Sequence, residues 1–330
     1  MYHKLKVAEL SESYLTDEDI WHVLTVVLSN KSAKSATYKY ALIKAMIENL
    51  YQVNNQYELT YDQLAYSFAK IYWNLIIHHG LVKQNSSHKQ ARIVTELLAF
   101  QEKHGVPQDF SFDKLKSTLQ LKLVSKVKSV MKINVFGALY GDTQEVFYEF
   151  NHQTEYFRFQ SQVHEFMMKY QRLIVNLTNY HMAKMIEDLN EYPSTSYLLG
   201  KVESIAKRSS LKPYEQVLLN YFEATCFYCG KSLSKGKRES HVDHFIPWSF
   251  VQSDQIWNLV MACGRCNAQK NDKLPERDYL DAIISRNDQL QEMIADQDYD
   301  PSLRNYHDQK IIMLYDYSIK NGFDDIWVPK

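Results

Sequence analysis

The four cysteines of this chain form two Cys-x-x-Cys pairs, Cys226 with Cys229 and Cys263 with Cys266, and the sequence holds no others. Each pair makes a knuckle whose two sulfurs can face one ion, and two knuckles complete a tetrahedron of thiolates. In a reducing compartment such pairs read as a zinc site rather than as disulfides. Because protein fills all four positions, the expected Zn2+ is structural. Zinc binding of this kind supplies on the order of 10 kcal/mol or more to folding. The 33 residues between the knuckles exceed the spacing of a simple zinc ribbon, which predicts an inserted element.

The insertion reads His241-Val242-Asp243-His244-Phe245-Ile246-Pro247-Trp248, then Trp257-Asn258-Leu259-Val260-Met261. The second knuckle continues as Cys263-Gly264-Arg265-Cys266-Asn267-Ala268-Gln269-Lys270-Asn271-Asp272-Lys273. An Asp-His pair, an Asn-Leu whose asparagine follows that histidine by 14 residues, and a Cys-Asn nine residues further on resemble the HNH endonucleases in their ββα-metal form with a four-cysteine zinc site. The resemblance covers Cys226 to Lys273. The flanks are similar, loosely, to the helical extensions of bacterial HNH proteins, which suggest effectors of phage defence or mobile elements.

What the resemblance implies is hydrolysis of DNA phosphodiester bonds, in double or single strands. Such hydrolysis needs a water deprotonated for in-line attack, and a neutral imidazole can accept that proton. His244 fits this role. Negative charge gathers on the leaving and phosphoryl oxygens, where a hard divalent cation stabilises it. Asp243 and Asn267 offer oxygens to that cation, and an oxygen-only pair favours Mg2+ or Mn2+. By the resemblance, Asn258 holds the loop that orients His244. Helical spacing after Cys263 places Asn267, Lys270 and Asn271 on one face, so Lys270 is expected to meet phosphate. Arg265, Lys273, Lys235, Lys237 and Arg238 extend the basic rim. His241 shares the strand face of Asp243, and Trp248 and Trp257 are expected to pack the small core. The rival reading is a zinc-ribbon module that binds nucleic acid or protein without cutting, which has no use for a general base beside a hard-cation pair.

These residues must be positioned by a scaffold. With 330 residues, 45% of them hydrophobic and 13% aromatic, the chain can build several packed cores. Nine glycines and seven prolines are few for this length and favour long helices over tight turns. A net charge of -1 announces no nucleic-acid partner, so phosphate binding must be local. The first residues lack the apolar core of a secretory signal and no segment has the apolar length of a membrane span, which makes cytoplasm the expected compartment.

The expected fold class is mainly α with a small ββα-metal module, a multi-domain α+β chain. The expected divisions are a helical domain over 1–105, a mixed helix and hairpin region over 106–195, the zinc-stapled module over 196–278 and helices over 279–330. The helical N-terminal half is the expected surface for a homodimer or a partner protein. Three- and four-residue spacing predicts helices between Leu15 and Leu81, with a start near Thr60 or Asp62. The aromatics Tyr66, Phe68, Tyr72 and Trp73 are expected in a core. The lysines from Lys114 to Lys132 read as a solvated helix face, Gly137 to Asp142 as a turn, and Val146–Phe150 with Tyr156–Phe159 as a hairpin. Pro193 to Ser196 suggests a linker.

Overall fold

Helices occupy the stretches where apolar residues recur every three or four positions, and short strands fill the gaps between them. The computed structural model describes residues 5–11, 13–28, 36–87, 89–190, 195–204, 210–233, 240–294 and 301–329. The chain packs into two units, Met1–Met167 with Leu173–Lys207, and Met168–Arg172 with Arg208–Lys330.

In the first unit the order is β1 (Val7–Ala8), α1 (Asp17–Leu28), α2 (Tyr38–Glu48), β2 (Glu58–Thr60), α3 (Tyr61–Trp73), α4 (Arg92–Lys103), α5 (Ser117–Val130) and α6 (Phe136–Asp142). There follow β3 (Tyr148–Asn151), β4 (Tyr156–Phe159), α7 (Ser161–Asn190) and α8 (Thr195–Ser204). Helix α3 packs on α2 and α5. Its start is set by Thr60, whose hydroxyl accepts from the Gln63 N–H while the Gln63 side chain accepts from the Thr60 N–H, a capping box that satisfies donors the helix cannot. Phe68, Tyr72 and Trp73 are fully buried and only Tyr66 of that aromatic group is exposed, as expected of a core.

The hairpin appears as β3 and β4, central in an antiparallel sheet ordered β1-β3-β4-β2. Alternation puts Leu59, Phe150 and Phe157 on the buried face, while Glu149 and Arg158 pair at 2.7 Å across the other. Three lysines on and just past α5 face acids: Lys126 meets Glu96 at 3.2 Å, Lys128 meets Asp62 at 2.9 Å and Glu155 at 2.8 Å, and Lys132 also binds Glu155. The expected turn over Gly137 to Asp142 is instead α6, because burial of Phe136, Leu139 and Tyr140 at helical spacing outweighs the two glycines. Helix α7 breaks at Tyr170 (φ -114°, ψ 15°), with no proline or glycine in the segment to explain it. Of the suggested linker, Pro193 and Ser194 lie outside the described residues, and α8 begins at Thr195.

The second unit runs α9 (Lys212–Tyr221), β5 (Ser240–His244), α10 (Trp248–Val251), β6 (Leu259–Cys263), α11 (Gly264–Lys270) and β7 (Leu274–Pro275). It continues with α12 (Tyr279–Ile294), α13 (Pro301–Arg304), α14 (Asp308–Lys320) and β8 (Ile326–Trp327). Strands β5 and β6 are antiparallel and lead into α11, giving the ββα order. Near the chain's end, β8 pairs in parallel with β7, and the Tyr315 hydroxyl donates to the Pro275 carbonyl at 2.7 Å. Trp257 is fully buried and stacks on Tyr306. The fold is thus mainly α with a small ββα module, and no helix of the described residues is long and apolar enough to cross a membrane.

Replacing Thr60 by Ala should lower stability by about 1 kcal/mol, read as a lower urea midpoint at unchanged m-value. Thr60→Ser should retain most of it, and an Ala variant as stable as the parent would show that the cap contributes nothing.

Candidate active site

The first knuckle is a tight turn: the Cys226 carbonyl accepts from the Gly230 N–H at 2.8 Å, and Gly230 adopts φ +67°, a conformation that suits glycine. The second knuckle forms where β6 ends. Cys263 is its last residue and also caps α11, its sulfur accepting from the Cys266 N–H at 3.5 Å. The ligand atoms of Cys226, Cys229, Cys263 and Cys266 all lie within 4.8 Å of one another. Zn–S bonds of about 2.3 Å would set tetrahedral sulfurs about 3.8 Å apart, and Cys229 and Cys263 stand at 3.9 Å. The cluster can therefore hold a metal such as zinc. Burial pushes the Cys226 and Cys266 thiols up. Burial also acts on Cys263, but hydrogen bonds from the Cys266 backbone and the neighbouring thiols bring it down to about 7.

Between the knuckles, β5 carries Asp243 opposite Val260 and His244 opposite Leu259. Both side chains are buried. Asp243 Oδ2 accepts from the Tyr228 hydroxyl at 2.7 Å and lies 3.1 Å from the Lys270 ammonium. Its Oδ1 has no hydrogen bond among the described residues, and neither does the Asn267 side-chain amide. Burial, followed by the charge of Asp243, pushes the Tyr228 phenol well above its ordinary range, so it stays protonated and donates.

Lys270 is fully buried, and its ammonium donates to the His244 carbonyl at 2.6 Å besides pairing with Asp243. Burial draws its pKa below the usual lysine range, against the pull of Asp243. The phosphate contact expected of Lys270 is not what this arrangement offers, because the side chain turns inward to neutralise a buried carboxylate. Asn271 likewise leaves the face expected for it: α11 stops at Lys270, and Asn271 caps it at φ 46°. Arg265 is exposed, Lys273 pairs with Asp325 at 2.8 Å, and His241 is half-buried on β5. Lys235, Lys237 and Arg238 lie outside the described residues.

His244 has a partner that sequence reasoning missed. Its Nε2 lies 2.8 Å from Asp254 Oδ1, and no hydrogen bond engages Nδ1 among the described residues. An acid in the polar stretch before Trp257 was the one signal that could have found it. Asn258, 1% exposed, accepts from the Ile246 N–H and donates to the Ile246 carbonyl, both at 2.9 Å, and its own carbonyl accepts from the Phe245 N–H. It therefore grips the backbone just past His244. The turn before Asn258 is held in turn by α12, where Asn287 donates to the Trp257 carbonyl at 2.9 Å.

Residues 226–276 match the family model described as HNH endonuclease. Neither the curated proteins nor the solved structures provide a match.

Metal analysis of the purified chain should find one zinc per molecule, and Cys226→Ala should lose it together with cooperative unfolding of the second unit. Full zinc retention by that variant would remove the four-sulfur assignment.

Proposed function

We propose, from the match of residues 226–276 to the HNH endonuclease family model, that the protein is a divalent-metal-dependent endonuclease hydrolysing DNA. The observation that supports this most is the pairing of His244 with Asp254 beside an Asp243 whose second oxygen has no hydrogen bond among the described residues. Asp254 accepts a hydrogen bond from the Nε2–H of His244 and thereby favours the tautomer whose Nδ1 lone pair accepts a proton from the attacking water. Asn258 and Asn287 keep the loop around that imidazole in place.

Asp243 and Asn267 would hold Mg2+ or Mn2+, which when bound supplies positive charge to the phosphoryl and leaving oxygens. Lys270 balances Asp243 from the buried side and fixes the His244 carbonyl. Arg265, exposed, and Lys273, which would have to exchange its pairing with Asp325, are the residues to meet the nucleic-acid backbone, as contacts that position without reading sequence. The cysteine cluster serves as a structural Zn2+ site. A cytoplasmic setting and a partner or second copy bound by the helical first unit belong to this reading, as does a role in phage defence or mobile elements suggested by the resemblance of the flanks.

The test is cleavage of supercoiled plasmid in Mg2+ or Mn2+. His244→Ala should lose about 10²- to 10⁴-fold in rate and Asp254→Asn about 10- to 100-fold, both still retaining DNA binding. A parent protein that binds plasmid and never cuts it would instead be a zinc-ribbon binding module.

A further inference from the structure

Tyr228 stands inside the first knuckle, in Cys226-Phe227-Tyr228-Cys229, yet its hydroxyl reaches out of the cysteine cluster to Asp243. Its ring is 5% exposed and packs edge-on against Trp327 at 5.1 Å and Tyr279 at 5.7 Å. The Tyr279 hydroxyl donates to the Tyr228 carbonyl at 2.9 Å. Backbone and ring are thus both held. Two donors share one oxygen of Asp243, the Tyr228 hydroxyl at 2.7 Å and the Lys270 ammonium at 3.1 Å.

The two donors differ in what they can specify. An ammonium on a four-carbon stem is a point charge with three rotatable protons, so it draws in a carboxylate without defining its plane. A phenol on a packed ring has one proton in one place. With Lys270 alone, Asp243 could turn about Cβ–Cγ and close both oxygens on the ammonium. We propose that Tyr228 is a positioning residue that pins Oδ2 and leaves Oδ1 as the single oxygen presented to the catalytic cation, tying that cation's site to the cysteine knuckle. This rests on Asp243 as a cation ligand in the nuclease reading. Partners of this kind, behind a metal ligand, are worth about 10- to 100-fold in metal affinity.

The experiment is calorimetric titration of Mn2+ into the zinc-loaded full-length chain, comparing the parent with Tyr228→Phe, which keeps the ring and loses only the hydroxyl. Tyr228→Phe should bind Mn2+ about tenfold or more weakly, with zinc at the parent's level. In the cleavage assay the Mg2+ concentration for half-maximal rate should rise while the KM for DNA stays put. A merely structural role would instead lower zinc content and disturb KM as well, which would overturn the proposal. Parent-like Mn2+ affinity in Tyr228→Phe also overturns it. Asp243→Ala in the same titration separates the two failures: if it abolishes Mn2+ binding, the cation assignment stands while Tyr228 falls, and if it binds like the parent, both fall.

Discussion

Four cysteine sulfurs within 4.8 Å of one another are the constraint on which the second unit depends. As thiolates these sulfurs would repel one another, and a shared cation such as zinc, which the cluster can hold, would offset that repulsion. The cluster's two halves each bring a donor to the same oxygen of one carboxylate. The first knuckle delivers the Tyr228 hydroxyl to Asp243. The second turns the chain from β6 into α11 at Cys263, and that direction carries Lys270 inward to the same Asp243 oxygen.

Charge is buried here for orientation more than for stability. A buried ion pair recovers its desolvation cost only when geometry and further hydrogen bonds are good. Asp243 and Lys270 meet that condition through the Tyr228 hydroxyl and the His244 carbonyl. His244 and Asp254, only 6% and 14% exposed, form a hydrogen-bonded pair in which the carboxylate fixes the direction of the ring. The side chains of the neighbouring Asp243 and His244 thus have different partners, while Lys270 ties the Asp243 carboxylate to the His244 carbonyl. The residues after the family match belong to this machinery in a physical sense: Asn287 of α12 holds the Trp257 carbonyl, and Trp327 of β8 and Tyr279 of α12 hold Tyr228.

Some features were legible because they are local. The Cys-x-x-Cys spacings specify knuckles whatever surrounds them, Thr60 with Gln63 is a start signal readable within four residues, and period-two alternation marked the hairpin that became β3 and β4. The apolar spacing of α3 likewise announced a buried aromatic stripe. The glycines of α6 misled because turn propensity is a weak local preference that packing can override.

The sequence by itself determined the inventory and its spacing: four thiols in two pairs, an Asp-His at the end of one strand, and two asparagines downstream. Tertiary structure alone decided what each group faces. Lys270 turned from an expected phosphate contact into the buried counter-charge of Asp243. Asp254 came to His244 from ten positions further on, past α10, and Tyr228 reached out of its knuckle to a carboxylate. The reason is that a side chain's partner and charge environment depend on which distant elements close around it, and burial, unlike helix spacing or a knuckle turn, is a property of the assembled core.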